Sequence, residues 1–262
     1  KAHIGNLDKS WRLLEFAVSP DGTRAATVDP EYRIHVWRIS GSERSRERTW
    51  ENAGDGVAIG RIEFSGDGAS LIVADERANR VRQFDVETGE LVRTWDVQLT
   101  RGVCCSPAEP VLVCTCAENS LIAFSSRTGE RLWTSPGTVY ELHTMVITPD
   151  GRHLVTATSD KVIEIRDMRD GELIRELVAH QTSIESLSVS PDGKTLATIE
   201  TSGRLCLWQF HTGELLFDLP GRNRDVPHRC QFSPDGTSLL YTYGRDYWVG
   251  EELDAYRLVR LK

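Results

Sequence analysis

Apolar residues along this chain gather in short runs that alternate with polar positions, and the three-to-four spacing of a helix face is absent throughout. Ile184 to Val189 alternates in this way. After a turn, Thr195–Ile199 forms a second β-branched run, Leu205–Trp208 a third and Leu215–Leu219 a fourth. The stretch before it repeats the order as Leu142–Ile147, Leu154–Ala157, Val162–Ile165 and Leu173–Leu177. The pattern predicts four short antiparallel strands, then four more.

Turn phrases set the period. Ser19-Pro20-Asp21-Gly22, Ser65-Gly66-Asp67-Gly68, Ser106-Pro107-Ala108-Glu109, Thr148-Pro149-Asp150-Gly151, Ser190-Pro191-Asp192-Gly193 and Ser233-Pro234-Asp235-Gly236 recur at intervals of 46, 41, 42, 42 and 43 residues. Proline presets φ at the second position of a turn, and Asp-Gly accepts the positive φ of a tight hairpin. Between them stand Thr88-Gly89-Glu90, Thr128-Gly129-Glu130, Asp170-Gly171-Glu172 and Thr212-Gly213-Glu214. Two turns per period leave room only for short strands, and four strands per ~40–45 residues is the pattern of a propeller blade. The predicted fold is all-β, a six-bladed β-propeller of four-stranded antiparallel blades, with a fragment of a seven-bladed or larger propeller as the alternative. One domain over 1–262 is expected, with blades at roughly 11–51, 58–96, 100–135, 141–178, 183–220 and 227–262. In the last blade, Thr242-Tyr243-Gly244-Arg245 aligns with Thr201-Ser202-Gly203-Arg204. That alignment puts Trp248 in the third strand and Tyr256–Leu261 in the fourth. Gly41–Val57, where Arg44, Arg46 and Arg48 interleave with Glu43 and Glu47, reads as a solvated loop.

The repeats resemble the WD-repeat family over roughly residues 10–262. Trp37, Phe84, Phe124 and Trp208 end third strands where that family places its tryptophan, and Phe84-Asp85 is nearest to a Trp-Asp pair. Val178-Ala179-His180 looks like the family's Gly-His phrase, and Asp160 stands at its structural aspartate. The departures are Arg166 in place of the fourth aromatic and Ser202 where the fifth aspartate would be. No repeat spells the full His–Ser/Thr–Asp–Trp set. Ala123 to Trp133 is similar to the tryptophan-docking repeat of pyrroloquinoline quinone dehydrogenases, with Phe84 to Trp95 a looser match. The idiom also looks like bacterial WD-repeat regions fused to signalling or regulatory domains.

Lys+Arg 31 against Asp+Glu 39 gives a net charge of −8, which disfavours nucleic acid as the main partner. Six cysteines are too few for a secreted disulfide scaffold. No apolar run approaches the ~18–20 residues of a membrane span, and the polar first residues do not read as a signal peptide. A cytoplasmic location, in which free thiols persist, and a domain excised from a larger chain are expected.

Catalytic motifs are missing: no Gly-x-Ser-x-Gly, His-Glu-x-x-His, phosphate loop or EF-hand pattern occurs. No histidine pair has metal-ligand spacing, so no catalytic, cofactor-binding or metal residue is assigned. Cys104-Cys105 and Cys114-x-Cys116 share one hairpin, where Cys105 opposite Val111 and Cys114 opposite Gly102 would string the sulfurs out as core packing. The function expected is a non-catalytic protein–protein interaction scaffold, a sensor or regulatory module binding proteins or peptides. By the resemblance, its partner face carries Tyr140, Glu141, Asp160, Lys161, His180, Gln181, Thr182, Glu200 and Arg245. The alternative is a quinone- or metal-dependent enzyme using a central channel lined by Glu15, Arg61, Glu63, His143, Glu185 and Gln231 of the first strands.

Overall fold

A computed structural model describes residues 15–40, 43–50, 59–75, 78–136, 140–178, 180–221, 226–244 and 255–260. The chain divides into two compact units, Lys1–Gly137 and Thr138–Lys262.

Unit 1 holds three antiparallel sheets. The first is β1 (Glu15–Val18), β2 (Arg24–Val28), β3 (Ile34–Ser40) and β4 (Glu43–Trp50). The second is β5 (Arg61–Phe64), β6 (Ser70–Asp75), β7 (Arg80–Asp85) and β8 (Leu91–Asp96). The third is β9 (Leu99–Cys105), β10 (Val111–Cys116), β11 (Leu121–Ser125) and β12 (Arg131–Ser135). Unit 2 continues with β13 (Leu142–Ile147), β14 (His153–Thr158), β15 (Val162–Asp167) and β16 (Leu173–Val178). Its next sheet is β17 (Ile184–Val189), β18 (Thr195–Glu200), β19 (Leu205–Gln209) and β20 (Leu215–Leu219). The last is β21 (Val226–Phe232), β22 (Ser238–Gly244) and β23 (Ala255–Arg260). Each strand pairs with its chain neighbour, as hairpin-length connections require. Among the described residues no helix is long and apolar enough to cross a membrane.

The six turn phrases set a common register. In each, the backbone N–H of the leading Ser or Thr donates to the carbonyl five residues on, as Ser190 does to Thr195 at 2.8 Å. In five, its hydroxyl also donates to the turn aspartate at 2.5–2.7 Å. The glycine then sits left-handed, φ +71° at Gly193, where a Cβ would be strained. Strand pairing starts one residue outside this closed turn. Cys105 therefore faces Leu112, and Cys114 faces Val103. The expected partners, Val111 and Gly102, are each off by one, because Ser106 itself takes Val111.

Burial follows strand order. The second and third strands are buried on both faces: Leu154 is fully buried, and Leu71, Leu112, Leu196 and Leu239 are fully enclosed between neighbouring sheets of their own unit. Burying each such side chain stabilises the fold by about 1.5–3 kcal/mol. The fourth strands turn most residues outward: β8 and β16 bury one each, Trp95 and Leu177, β12 buries Trp133 and Ser135, and β20 buries none.

Two expectations are corrected here. Glu43–Trp50 is a strand rather than a loop: it pairs along β3 as the outer edge, where charge is cheap, while Trp50 turns inward. Tyr256–Arg260 lies in the third strand of the last sheet, not the fourth, because β23 pairs directly with β22. Trp248 lies outside the described residues.

Candidate functional site

The densest polar cluster in unit 2 is built on Glu200, the last residue of β18. Its side chain is fully buried, and donors converge on both oxygens. Oε1 accepts from His180 Nδ1 at 2.9 Å, Gln181 N at 3.3 Å and Arg204 Nη1 at 2.9 Å. Oε2 accepts from Thr182 N at 3.2 Å, Thr182 Oγ1 at 3.0 Å and Ser202 Oγ at 3.1 Å. The Nδ1–H donation leaves His180 Nε2 as an acceptor for Thr198 Oγ1 at 3.4 Å. Thr198 in turn accepts from Trp208 Nε1 at 3.0 Å. Arg204 completes the cluster with two bonds to Asp218, at 2.8 and 2.7 Å. The loop into β17 and the β18–β19 loop are thereby tied to one carboxylate.

The electrostatics agree. Burial alone would raise the Glu200 pKa, but hydrogen bonds from His180, Arg204, Thr182 and the Gln181 N–H outweigh it and hold the carboxyl below its ordinary value. Burial lowers the His180 pKa despite Glu200 beside it, so the ring is neutral at pH 7. His180, Glu200 and Cys206 bring metal-type ligand atoms within 4.8 Å of one another. Here, however, the carboxylate is already saturated with donors and faces a guanidinium, which makes the cluster a hydrogen-bonded knot.

A sheet away, Ser159 N donates to Glu141 O at 2.8 Å and Glu141 N to Ser159 Oγ at 3.2 Å, closing the loop into β13 on the β14–β15 turn. Asp160 accepts from the Thr158 hydroxyl, and Lys161 holds a left-handed φ of +72° while donating its N–H to Thr158 O at 3.1 Å. Tyr140, Glu141, Lys161 and Gln181 are exposed. His180 and Glu200 point inward, so they shape this end of the unit through the loops they hold. Arg245 lies outside the described residues.

The hydrogen-bonded set that no repeat spells out is thus complete in the fifth sheet, with Glu200 two residues before the expected aspartate position. A partial version in the first sheet joins His35 Nε2 to Asp29 at 2.9 Å and Trp37 Nε1 to Thr27 at 2.9 Å. The missed signal is an acid at or just after the end of the second strand with an arginine at or just before the start of the third: Asp29 and Arg33, Asp75 and Arg80, Glu200 and Arg204.

Burial pushes the Cys104, Cys105 and Cys114 thiols well above their ordinary value, and Cys116 up to about 11. All six are free thiols.

Sheets within a unit are locked by indoles. Trp50 stacks on Phe84 at 5.4 Å between ring centroids, and Trp95 on Phe124 at 5.8 Å. Trp95 Nε1 also donates to Gly129 O, and Arg93 caps the Thr128 carbonyl at 2.6 Å. The tryptophan-docking phrase is here an inter-sheet lock.

A propeller-repeat family described as outer membrane protein assembly factor BamB matches residues 22–217. Among curated proteins, cilia- and flagella-associated protein 52 of Sus scrofa is 22% identical over 203 residues, covering 74% of this chain and 31% of that protein. Striatin-4 of Homo sapiens is 20% identical over 187 residues, covering 69% and 24%. Eukaryotic translation initiation factor 3 subunit I of Emericella nidulans is 22% identical over 211 residues, covering 72% and 58%. All three are WD-repeat proteins, and the chain spans less than two-thirds of the length of each. A chain in the crystal structure of the mitotic checkpoint complex superposes with a TM-score of 0.74 at 18% identity, over 93% of this chain and 79% of that one.

Proposed function

We propose that this chain, which belongs to the propeller-repeat family described as outer membrane protein assembly factor BamB and is a WD-repeat β-propeller, serves as a non-catalytic binding platform for proteins or peptides. The carrying observation is the Glu200 knot. At this end of unit 2 the buried carboxylate, imidazole and guanidinium are spent on holding two loops in place, while Tyr140, Glu141, Lys161 and Gln181 are exposed. Loops fixed before binding lose little entropy when a partner docks, and an exposed tyrosine is a favoured interface anchor. Names among the similar proteins, an initiation factor subunit and a checkpoint complex, also denote assemblies. A sensor or regulatory role in a longer cytoplasmic chain fits this reading.

The test is affinity capture from native lysate with the wild-type chain and a Tyr140→Ala/Lys161→Glu/Gln181→Ala variant of equal melting temperature. The proposal expects saturable capture by the wild type and loss of that capture in the variant. Equal capture by both would exclude this face.

A further inference from the structure

The fourth strands, each the outer edge of its sheet, share an irregularity. In β20, Leu207 pairs with Phe217 and Trp208 with Leu215, so Leu216 is the extra residue of a bulge. Val92, Leu132 and Ile174 hold the same place in β8, β12 and β16. In these four strands the extra residue is apolar and about half exposed, and it stands two residues after the exposed glutamate of a Gly-Glu turn. A bulge re-aims a side chain and breaks the flatness that an added strand would need. These edges present apolar side chains rather than backbone. β4 shows the contrast: its extra residue is Glu47, held by Arg24 and Arg38.

Unit 2 concentrates the feature. Leu215, Leu216 and Phe217 are consecutive and all exposed, and β20 buries no residue. The end of β16 abuts the turn that opens β20: a Cβ on Gly213 would lie 2.6 Å from Leu177 Cδ2 and 3.3 Å from Arg175 Nη1. Val178, next to Leu177, is 74% exposed. Exposed apolar groups gathered in this way mark interaction surfaces. Acids frame them. Glu172, Glu176 and Glu214 are exposed and form no ion pair among the described residues. The one cation of β16 and β20, Arg175, is turned toward Gly213.

We propose that the outer edges of β16 and β20 form a docking surface for an amphipathic protein segment whose apolar face is flanked by Lys or Arg. Apolar side chains of the segment cover Ile174, Val178, Leu216 and Phe217, and its cations meet Glu172 and Glu214. Complementary charge of this kind selects the partner and speeds its approach. The same acids are repelled by an anionic membrane leaflet, which attracts basic surfaces. The surface lies outside the loops held by Glu200, so the two can be tested independently.

Fluorescence anisotropy with the full chain and two labelled synthetic peptides tests the surface. One peptide is a leucine–lysine amphipathic helix and the other its leucine–glutamate counterpart. The expected result is saturable binding of the lysine peptide alone. Affinity should fall at least about tenfold in Leu216→Ser/Phe217→Ser and in Glu172→Lys/Glu214→Lys. It should stay unchanged in Glu109→Lys/Glu118→Lys, which makes the same charge change in unit 1, and in Tyr140→Ala/Lys161→Glu/Gln181→Ala. Melting temperatures confirm that each variant folds. Absence of lysine-peptide binding, equal binding of the glutamate peptide or of phosphatidylserine vesicles, retained affinity in either edge variant, or a comparable fall in either control would overturn it.

Discussion

The indole N–H of Trp95 donates to the Gly129 carbonyl at 3.0 Å, joining the last strand of one sheet to the turn that opens the last strand of the next. Gly129 sits at φ +84°, and a Cβ there would lie 1.9 Å from Arg93 Nη1. The tryptophan, the glycine and the arginine therefore form one joint. Leu177 and Arg175 approach Gly213 in the same way within unit 2.

Trp95→Ala should cost about 3–5 kcal/mol by urea unfolding. Trp95→Phe, which keeps a ring and loses the donor, should cost less. Gly129→Ala should cost about 1–2 kcal/mol from the left-handed backbone and more from displacing Arg93. A Trp95→Ala variant as stable as the wild type would refute the joint.

Glu200→Ala removes the common acceptor of six hydrogen bonds and leaves buried donors of His180 and Thr182 unpaired, while Arg204 keeps Asp218, so it should cost at least about 1–3 kcal/mol. The pH dependence has a definite sign. Glu200 titrates below its ordinary 4.5 in the folded chain, so its contribution is complete above that pH and is lost as pH falls through the lowered value. His180, lowered from 6.5, contributes fully above 6.5 and less below it. Stability should be level from pH 7 to 8 and fall on acidification, and Glu200→Gln should flatten the part below pH 4.5. Thermal melts across this range are the check, and an identical acid slope in the variant would contradict the assignment.

The fold was legible because turn chemistry is local. Ser190-Pro191-Asp192-Gly193 carries its own hydrogen bonds, so period and strand order could be read directly. Leu142–Ile147, Ile184–Val189 and Leu215–Leu219 match the structure residue for residue. β4 was missed because an edge strand needs no apolar run, and Arg46 and Arg48 look like loop residues until Trp50 is seen turned inward. The Glu200 knot was missed because its members are brought together by strand pairing: His180 and Glu200 stand 20 residues apart, and Glu200 lies two residues before the place where the family pattern directs attention.

Arg166, which departs from the aromatic pattern, is compensated locally. Its guanidinium meets the buried Glu164 at 2.8 and 3.1 Å and the Gly171 carbonyl at 3.1 Å. Arg166→Ala should cost about 3–5 kcal/mol by leaving Glu164 unpaired. The double change Glu164→Ile/Arg166→Phe, which copies Ile122 and Phe124 of the third sheet, should be neutral or stabilising by about 1–4 kcal/mol. Denaturant titration distinguishes these outcomes, and a double variant as unstable as Arg166→Ala would contradict the reading.

Thiol chemistry offers an independent check on the cores. Cys230 is raised to about 12 by burial and Cys206 to about 11. Native protein at pH 8 should react negligibly with a thiol reagent, and all six thiols should titrate on unfolding. Rapid native labelling of Cys104 or Cys105 would instead indicate an accessible dithiol.

The central claim, that one end of unit 2 is a preformed docking face, is tested most directly by amide hydrogen exchange with and without a saturating captured partner. The account predicts added protection in residues 140–143, 159–161, 180–183 and 201–203, with the loops already slow to exchange in the free chain. Protection confined to the Ser-Pro-Asp-Gly turns at the opposite end of the sheets, or none in unit 2, would contradict it.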